Sequence, residues 1–274
     1  MKFKYLIIVS SIIIVLIILI TALLPLLLAG PEFAASLRYT TLPLLSVMLL
    51  LLICMGVFFL INYRLFSLLE REDWPALSYY LEQKVFVKGR YSYRKIQLLA
   101  TSYMVVTDYV SVLKLESKVQ FAKPSAIRKN VLIFGIARIL SGNQKDAAEF
   151  FKTYLGQGKG REKQWIQWFC GFSQLLCGYF DAAEQEFISL AVSSNDAIIT
   201  CLSAYFLTSP IANHSLKPDK CREIAKNGCS RVKNVLKNKE NWEKELTRME
   251  AEIHITIIKK YIDEAGNWLW NRTE

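Results

Sequence analysis

Two long apolar runs near the N-terminus precede a chain of mixed polarity. Leu6–Leu28 carries no charged residue, and Leu42–Ile61 is a second uncharged run after a short joint. At about 1.5 Å per residue, each run makes a helix that can cross a hydrocarbon core of about 30 Å. We therefore predict a transmembrane hairpin over residues 1–63. A cleavable signal peptide is the alternative for the first run, although that run exceeds the roughly 7–15 apolar residues of such signals.

Basic residues flank the two runs unevenly. Lys2 and Lys4 precede the first run and Arg64 and Arg71 follow the second, whereas the joint holds a single arginine, Arg38. The more basic flanks of transmembrane segments remain in the cytoplasm. We therefore expect a multi-pass protein of the inner or plasma membrane, with its N-terminus and its C-terminal domain in the cytoplasm.

From residue 64 onward, the apolar pattern repeats at a period of 35 or 36 residues. Gly135 and Phe151 recur 36 positions later as Gly171 and Phe187. Small residues stand at positions 76, 111, 147 and 183, and a large apolar residue follows each of them four positions later. Such periods are typical of stacked helix pairs, in which each pair needs a neighbour to bury its apolar face. We predict helical repeats over residues 64–236.

This repeat resembles the tetratricopeptide repeat (TPR) family. Ile96, Leu99, Ala100 and Tyr103 match the signature of the first helix in that family. The resemblance covers roughly residues 64–192, and it is degenerate at the positions where the family usually has tyrosine and tryptophan. It implies an α-solenoid in which the first helix of each pair lines a groove for a protein partner. A non-repeating helical bundle is the alternative.

The last part of the chain has apolar residues at every third or fourth position. This spacing predicts one amphipathic helix within residues 237–274, which suits the polar-faced cap that a solenoid needs at its end. The alternative is a tail ending in Trp268–Trp270 that contacts a partner or the membrane. The predicted fold class is therefore all-α: a two-helix transmembrane hairpin, a TPR-like α-solenoid and a C-terminal capping helix.

The resemblance also implies which residues face the groove. We expect it to be basic near the membrane and aromatic farther away, and to take an extended or helical segment with an apolar anchor and an acidic end. Tryptophan is enriched among residues that dominate binding energy. The alternative is that the tryptophans are core residues beneath the C-terminal helices. The groove positions are Arg94, Gln97, Thr101, Met104, Lys129, Leu132, Ile136, Ile139, Trp165, Trp168, Phe172 and Leu175.

Positive charge is concentrated directly after the predicted anchor. Between residues 84 and 130 there are ten basic and two acidic residues, a net charge of +8 within a chain of +10. A solvated surface is the default explanation of such a block. Anionic lipids attract basic residues near the bilayer by about 1 kcal/mol each, and an acidic protein partner is a further alternative. Nucleic acid is not expected, because no binding motif accompanies the charge. The proposed lipid or acidic-partner contacts are Lys84, Lys88, Arg90 and Lys95.

The sequence contains no arrangement of residues that indicates catalysis. The glycine-rich segment 156–161 lacks the spacing of a phosphate-binding loop, and the six cysteines lack the spacing of metal ligands. We expect no enzyme activity, cofactor or metal. The predicted function is a membrane-anchored scaffold that recruits a protein partner in a membrane complex. The alternatives are an organiser held on lipid by the block 84–130, and the same scaffold outside the membrane in an envelope or motility assembly.

Overall fold

The computed structural model describes residues 5, 8–21, 23, 38–208, 210–250 and 252–271. All regular secondary structure in these ranges is helical, which confirms the all-α prediction. The chain forms two compact units, residues 1–80 and 81–274. The boundary predicted after residue 63 therefore lies inside the first unit, where helix α2 continues without a break.

The first unit contains helix α1 (Ile8–Thr21), helix α2 (Arg38–Glu70) and the start of helix α3 (Trp74–Glu82). Within the described residues, one helical stretch, Leu42–Glu70, is long and apolar enough to cross a membrane. It contains the predicted second span and continues past it, in agreement with the lack of a helix breaker after Ile61. Of the predicted first span, residues 6, 7, 22 and 24–28 lie outside the described part of the chain, as does the joint before residue 38.

The second unit begins at Leu81 with the end of α3 and a five-residue π-helix, Gln83–Val87. Twelve helices follow in the described ranges, and most of them pack on the helix that precedes or follows them in the chain. They are α4 (Tyr93–Val105), α5 (Tyr109–Ala122), α6 (Pro124–Ile127), α7 (Val131–Leu140), α8 (Gln144–Tyr154), α9 (Arg161–Leu176), α10 (Phe180–Ser193), α11 (Ala197–Thr208), α12 (Pro218–Leu236), α13 (Lys239–Met249), α14 (Ile253–Ile257) and α15 (Lys259–Asn271).

One type of turn recurs at the predicted period. Glu72, Thr107, Gly142 and Gly178 all have positive φ, at 54°, 59°, 83° and 78°, and they are spaced by 35, 35 and 36 residues. After each of them, the next N–H donates to the carbonyl five residues earlier, which is the hydrogen bond of a Schellman motif. The same turn therefore ends the first helix of four successive pairs, even at the two positions without glycine. These bonds run from Asp73 to Leu68, Asp108 to Tyr103, Asn143 to Arg138 and Tyr179 to Gln174.

Close helix contacts recur at the same offset. A Cβ built on Gly171 would lie 3.3 Å from Phe187 Cζ, and one on Gly135 would overlap the ring of Phe151. Glycine in the first helix thus makes room for phenylalanine in the second helix at both equivalent places.

The small residues of the second helices vary in burial along the chain. Ala147 and Ala183 are fully buried, as the period predicts. Their counterparts Ala76 and Ser111 are only half-buried, so tight packing at this position is confined to α8 and α10.

The prediction of one C-terminal helix is wrong, because the segment forms the three helices α13, α14 and α15. In a single straight helix, Trp242 and Gly266 would be 24 residues apart and therefore about 36 Å from each other. In the structure a Cβ on Gly266 would lie 2.9 Å from Trp242 Nε1. The chain folds back because apolar residues on both sides of the break gain burial against each other and against the preceding helices.

Candidate ligand and partner site

A cavity of about 410 Å³ lies where α4, α7, α9 and the start of α14 meet. Its wall combines aliphatic and aromatic side chains with charges of both signs. Five of the predicted groove positions are among its lining residues, which are Gln97, Thr101, Lys129, Asn130, Leu132, Ile133, Arg161, Glu162, Trp165, Glu252, Ile253 and His254.

Two helix starts contribute to this wall. The first turn of α7 supplies Leu132 and Ile133, and the first turn of α9 supplies Arg161 and Glu162. Neither helix has a side-chain hydrogen bond at its N-cap, which is Asn130 for α7 and Gly160 for α9. Their first-turn N–H groups therefore lack side-chain capping partners, and the positive ends of both helix dipoles lie beside the cavity.

Arg161 connects α9 to two later parts of the chain. Its guanidinium forms an ion pair with Asp196, and its Nη2 lies 3.1 Å from Glu245 Oε1 on α13. Asp196 is buried, and its Oδ1 accepts hydrogen bonds from the N–H groups of Ile198 and Ile199 at the start of α11. The positive charge of Arg161 is therefore largely compensated by these two carboxylates of the same chain.

His254 is a buried, uncharged part of the wall at neutral pH. Burial, with a smaller contribution from the nearby charge of Arg161, lowers the pKa of this histidine to about 4, and Asp196 opposes the shift. The imidazole ring packs edge-on against Trp165, with ring centroids 4.8 Å apart. Glu252 Oε2 lies 3.3 Å from His254 Nε2 without the alignment of a hydrogen bond. Burial also raises the pKa values of the carboxyl groups of Glu252 and Glu162.

Three lining residues have buried polar atoms without a hydrogen-bond partner in the described part of the chain. These atoms are Asn130 Oδ1, Trp165 Nε1 and His254 Nε2. The amide nitrogen of Asn130 is satisfied, since it donates to the carbonyl of Ala126 at 2.8 Å. Buried polar groups are normally paired with protein or water, so three such atoms in residues that line one cavity are unusual.

The predicted groove divides into an exposed part and a buried part. Arg94, Gln97 and Lys129 are exposed, whereas Thr101 and Leu132 are half-buried. We call these five residues the open groove. Ile139 and Leu175 are also half-buried, and the remaining predicted positions are buried, namely Met104, Ile136, Trp165, Trp168 and Phe172.

The C-terminal helices cover the aromatic part of the predicted groove. Trp165 contacts His254, and the ring of Phe172 lies 5.4 Å from that of Tyr261. Trp168 packs against Phe206 of α11 at 5.6 Å. Of the two interpretations of the tryptophans, the structure therefore favours core residues beneath later helices over anchors exposed to a partner.

The basic residues 84–95 lie on the π-helix, on the loop after it and on the start of α4. Within the described ranges, no ion pair involves Lys88, Arg90 or Lys95. Burial lowers the pKa of Lys95, and repulsion from Arg90 and Lys84 lowers it further. These side chains therefore form a surface with little internal charge compensation.

The two acidic residues of the block, Asp108 and Glu116, contact groups other than its basic side chains. Asp108 accepts a hydrogen bond from the N–H of Ser111 and so caps α5. Glu116 forms an ion pair of 2.5 Å with Arg138, which lies outside the block. In the described part of the chain, neither acidic side chain of the block therefore forms an ion pair with a basic side chain of the block.

Sequence reasoning did not identify the residues that close the cavity. Arg161 and Glu162 follow a glycine-rich turn and resemble ordinary helix-start residues, while Glu252 and His254 lie inside a pattern that predicts an unbroken helix. Only the position of the break between α13 and α14 would have indicated that His254 turns inward. The apolar periodicity continues through that point and conceals it.

Comparison with known proteins shows the family of the chain and no activity. A family described as "Uncharacterised Treponema protein" matches residues 111–271, more than half of the chain, and the chain belongs to this family. The chain is also 25% identical over 231 residues to an "Uncharacterized protein" of Treponema pallidum (strain Nichols). That alignment covers 82% of this chain and 74% of the relative. No solved structure matches the chain significantly.

Proposed function

We propose that this chain is a membrane-anchored scaffold that recruits a protein partner to a membrane complex through the open groove. The observation that carries the proposal is the groove itself, since the C-terminal helices bury the aromatic positions and leave the basic and polar ones accessible. An acidic partner segment with an apolar anchor fits this combination of exposed charge and adjoining apolar cavity wall.

The anchor is proposed to be a hairpin of α1 and α2. Two observations support it. The exposed surface of α2 is apolar over the stretch from Leu42, and Ser10 Oγ of α1 donates to Met55 Sδ of α2 at 3.6 Å. Ser10 lies near the start of α1 and Met55 near the middle of α2, so this contact supports two helices that lie side by side. The basic flanks then assign both ends to the cytoplasm.

Topology provides the first test. A reporter active only in the cytoplasm should be active when it is fused after Glu274, and a reporter active only after export should be silent. The opposite result would place the helical domain outside the membrane. The proposal would then change to a scaffold in an envelope or motility assembly on that side.

The TPR-like solenoid remains part of the proposal. The recurrent turn at residues 72, 107, 142 and 178 supports it, as does the repeated glycine–phenylalanine contact. Both features follow the sequence period and involve the same backbone geometry, which a bundle without repeats has no reason to reproduce. In this interpretation α4, α7 and α9 are the first helices of three successive pairs.

Site-specific photo-crosslinking provides the second test. A photoreactive residue at Gln97 or Leu132, in full-length protein in its native membranes, should capture the same partner. The same residue at Glu149 or Lys152, which are exposed on α8 and do not line the cavity, should not capture it. Lys129→Glu should reduce the crosslink from Gln97, whereas Lys152→Glu, with the same charge change, should preserve it.

Equal capture from the groove positions and from α8 would contradict the proposed groove. A second candidate function, an organiser held on anionic lipid, is supported by the uncompensated charges of Lys88, Arg90 and Lys95. It makes a different prediction in the same experiment. A photoreactive residue at Lys88 would label lipid, and no protein would be captured from Gln97.

A further inference from the structure

Two charged side chains of the cavity wall, Lys129 and Glu162, form no ion pair with each other, although the charge of Lys129 opposes the rise in the pKa of Glu162 that burial causes. Within the described residues, neither Lys129 nor Glu162 has an ion pair or a hydrogen bond. The ammonium of Lys129 lies 4.8 Å from the centre of the Tyr93 ring. A cation–π contact leaves the hydrogen-bond donors of an ammonium group available.

The positive side of the cavity is suited to a carboxylate. Lys129 adjoins the first turn of α7, which has no side-chain cap. N–H groups at an uncapped helix start and the positive end of the helix dipole both favour an anion at this position. Arg161 contributes less, because Asp196 and Glu245 already pair with it.

The cavity also offers two carboxyl groups to an ammonium group. Glu162 and Glu252 both line the cavity, and neither is paired with Lys129 or Arg161 at contact distance. Burial disfavours their charged forms and so raises the pKa of each carboxyl. A ligand cation would relieve this penalty, because an opposite charge stabilises a buried carboxylate.

The cavity wall also has an apolar part. Leu132, Ile133 and Ile253 form it together with the ring of Trp165. A volume of about 410 Å³ is in the usual range of small-molecule sites, roughly 300–1,000 Å³.

We propose that this cavity binds a zwitterionic small ligand, an amino acid or a dipeptide with an apolar side chain. The ligand carboxylate lies toward Lys129 and the start of α7, and its ammonium toward Glu162 and Glu252. Its side chain packs on Leu132 and Ile133. The inference goes beyond the proposed scaffold function, because it concerns a soluble ligand and does not depend on a protein partner.

Three related dipeptides test the inference with the full-length protein in detergent micelles, by calorimetric titration. Leu-Leu carries both charges, N-acetyl-Leu-Leu lacks the ammonium, and Leu-Leu-amide lacks the carboxylate. We expect saturable binding of Leu-Leu. Each blocked form should bind at least about tenfold more weakly, which is about 1.4 kcal/mol, because it loses a hydrogen bond to a charged group.

Charge-matched variants assign each contact. In Lys129→Gln, the preference for Leu-Leu over Leu-Leu-amide should disappear, while the preference over N-acetyl-Leu-Leu remains. In Glu162→Gln, the preference for Leu-Leu over N-acetyl-Leu-Leu should disappear, while the preference over Leu-Leu-amide remains. Lys152→Gln and Glu149→Gln are exposed controls on α8 that should keep both preferences.

The inference is overturned by no saturable binding of Leu-Leu, by equal binding of all three dipeptides, or by equal effects of the cavity variants and the α8 controls. Its failure is separable from failure of the scaffold proposal. Photo-crosslinking from the open groove requires no dipeptide, and so it can succeed or fail independently.

Discussion

Gly135→Ala should destabilise the helical domain by about 1–2 kcal/mol. A Cβ at this position would lie 2.5 Å from Cε1 and 2.6 Å from Cε2 of Phe151, with Cζ still closer. Both residues are buried, so the ring cannot move aside without displacing its neighbours. Overpacking of this kind costs typically 1–3 kcal/mol, and the gain in helix propensity from glycine to alanine, about 1 kcal/mol, offsets only part of a severe clash.

Gly171→Ala is the matched control one repeat later. The nearest atoms to its Cβ would be Glu186 Cβ at 3.1 Å and Phe187 Cζ at 3.3 Å, so a small shift is enough to make room. The gain in helix propensity should then leave stability within about 1 kcal/mol of the wild type. Urea unfolding of the full-length protein in micelles, followed by tryptophan fluorescence, measures both variants.

A double variant tests whether Phe151 is the cause. Phe151→Leu removes the ring and should cost stability by itself, but combined with Gly135→Ala the losses should be clearly less than additive. Fully additive losses would mean that the alanine clashes with some other group. An unchanged urea midpoint for Gly135→Ala alone would contradict the packing of α7 on α8.

The repeating part of the fold could be inferred from sequence because local requirements recur there. The pair of a glycine and a facing phenylalanine occurs at Gly135 and Phe151 and again, 36 residues later, at Gly171 and Phe187. Alanines at the helix crossings recur in the same way, at 147 and 183. The turn is less visible, since Glu72 and Thr107 adopt the conformation that glycine adopts at 142 and 178. Tertiary packing imposes that conformation where residue preference does not.

The cavity could not be inferred because it depends on contacts between distant segments. Lys129, Glu162 and His254 come from three parts of the chain, and each has an ordinary surface or helix context in sequence. The same reason explains the tryptophans. A helical pattern identifies the face on which Trp165 and Trp168 lie, but not whether another copy, a partner or the chain's own C-terminal helices cover that face.

Acidification should destabilise the domain through His254 in particular. The pKa of this histidine is about 4 in the folded protein, mainly because of burial and secondarily because of Arg161, against 6.5 for an ordinary histidine. Below pH 6.5 the unfolded chain takes up a proton that the folded protein does not. The free energy of unfolding therefore falls as pH decreases from about 6.5 to about 4, and it is unaffected by this group above that window.

The other charged groups around His254 affect the pH dependence of stability in different ways. Asp196 opposes the effect of Arg161 on the histidine. Glu252 has a raised pKa, so its own contribution to stability is lost as pH rises, which is the opposite slope. The pH dependence of the wild-type free energy of unfolding must therefore be compared with that of a variant that removes only the titrating imidazole. His254→Phe is suitable, because it keeps a ring against Trp165.

Between pH 7 and pH 5, the wild type should lose about 2 kcal/mol more than His254→Phe, since each unit of pKa shift is about 1.4 kcal/mol. Urea unfolding of both proteins in micelles, followed by tryptophan fluorescence at pH 7, 6 and 5, measures the difference. His214→Phe removes the exposed histidine and shows whether loss of any imidazole has the same effect. Parallel pH profiles for the wild type and His254→Phe would mean that His254 is accessible to protons in the folded protein. The C-terminal helices would then not close over Trp165 as the structure places them.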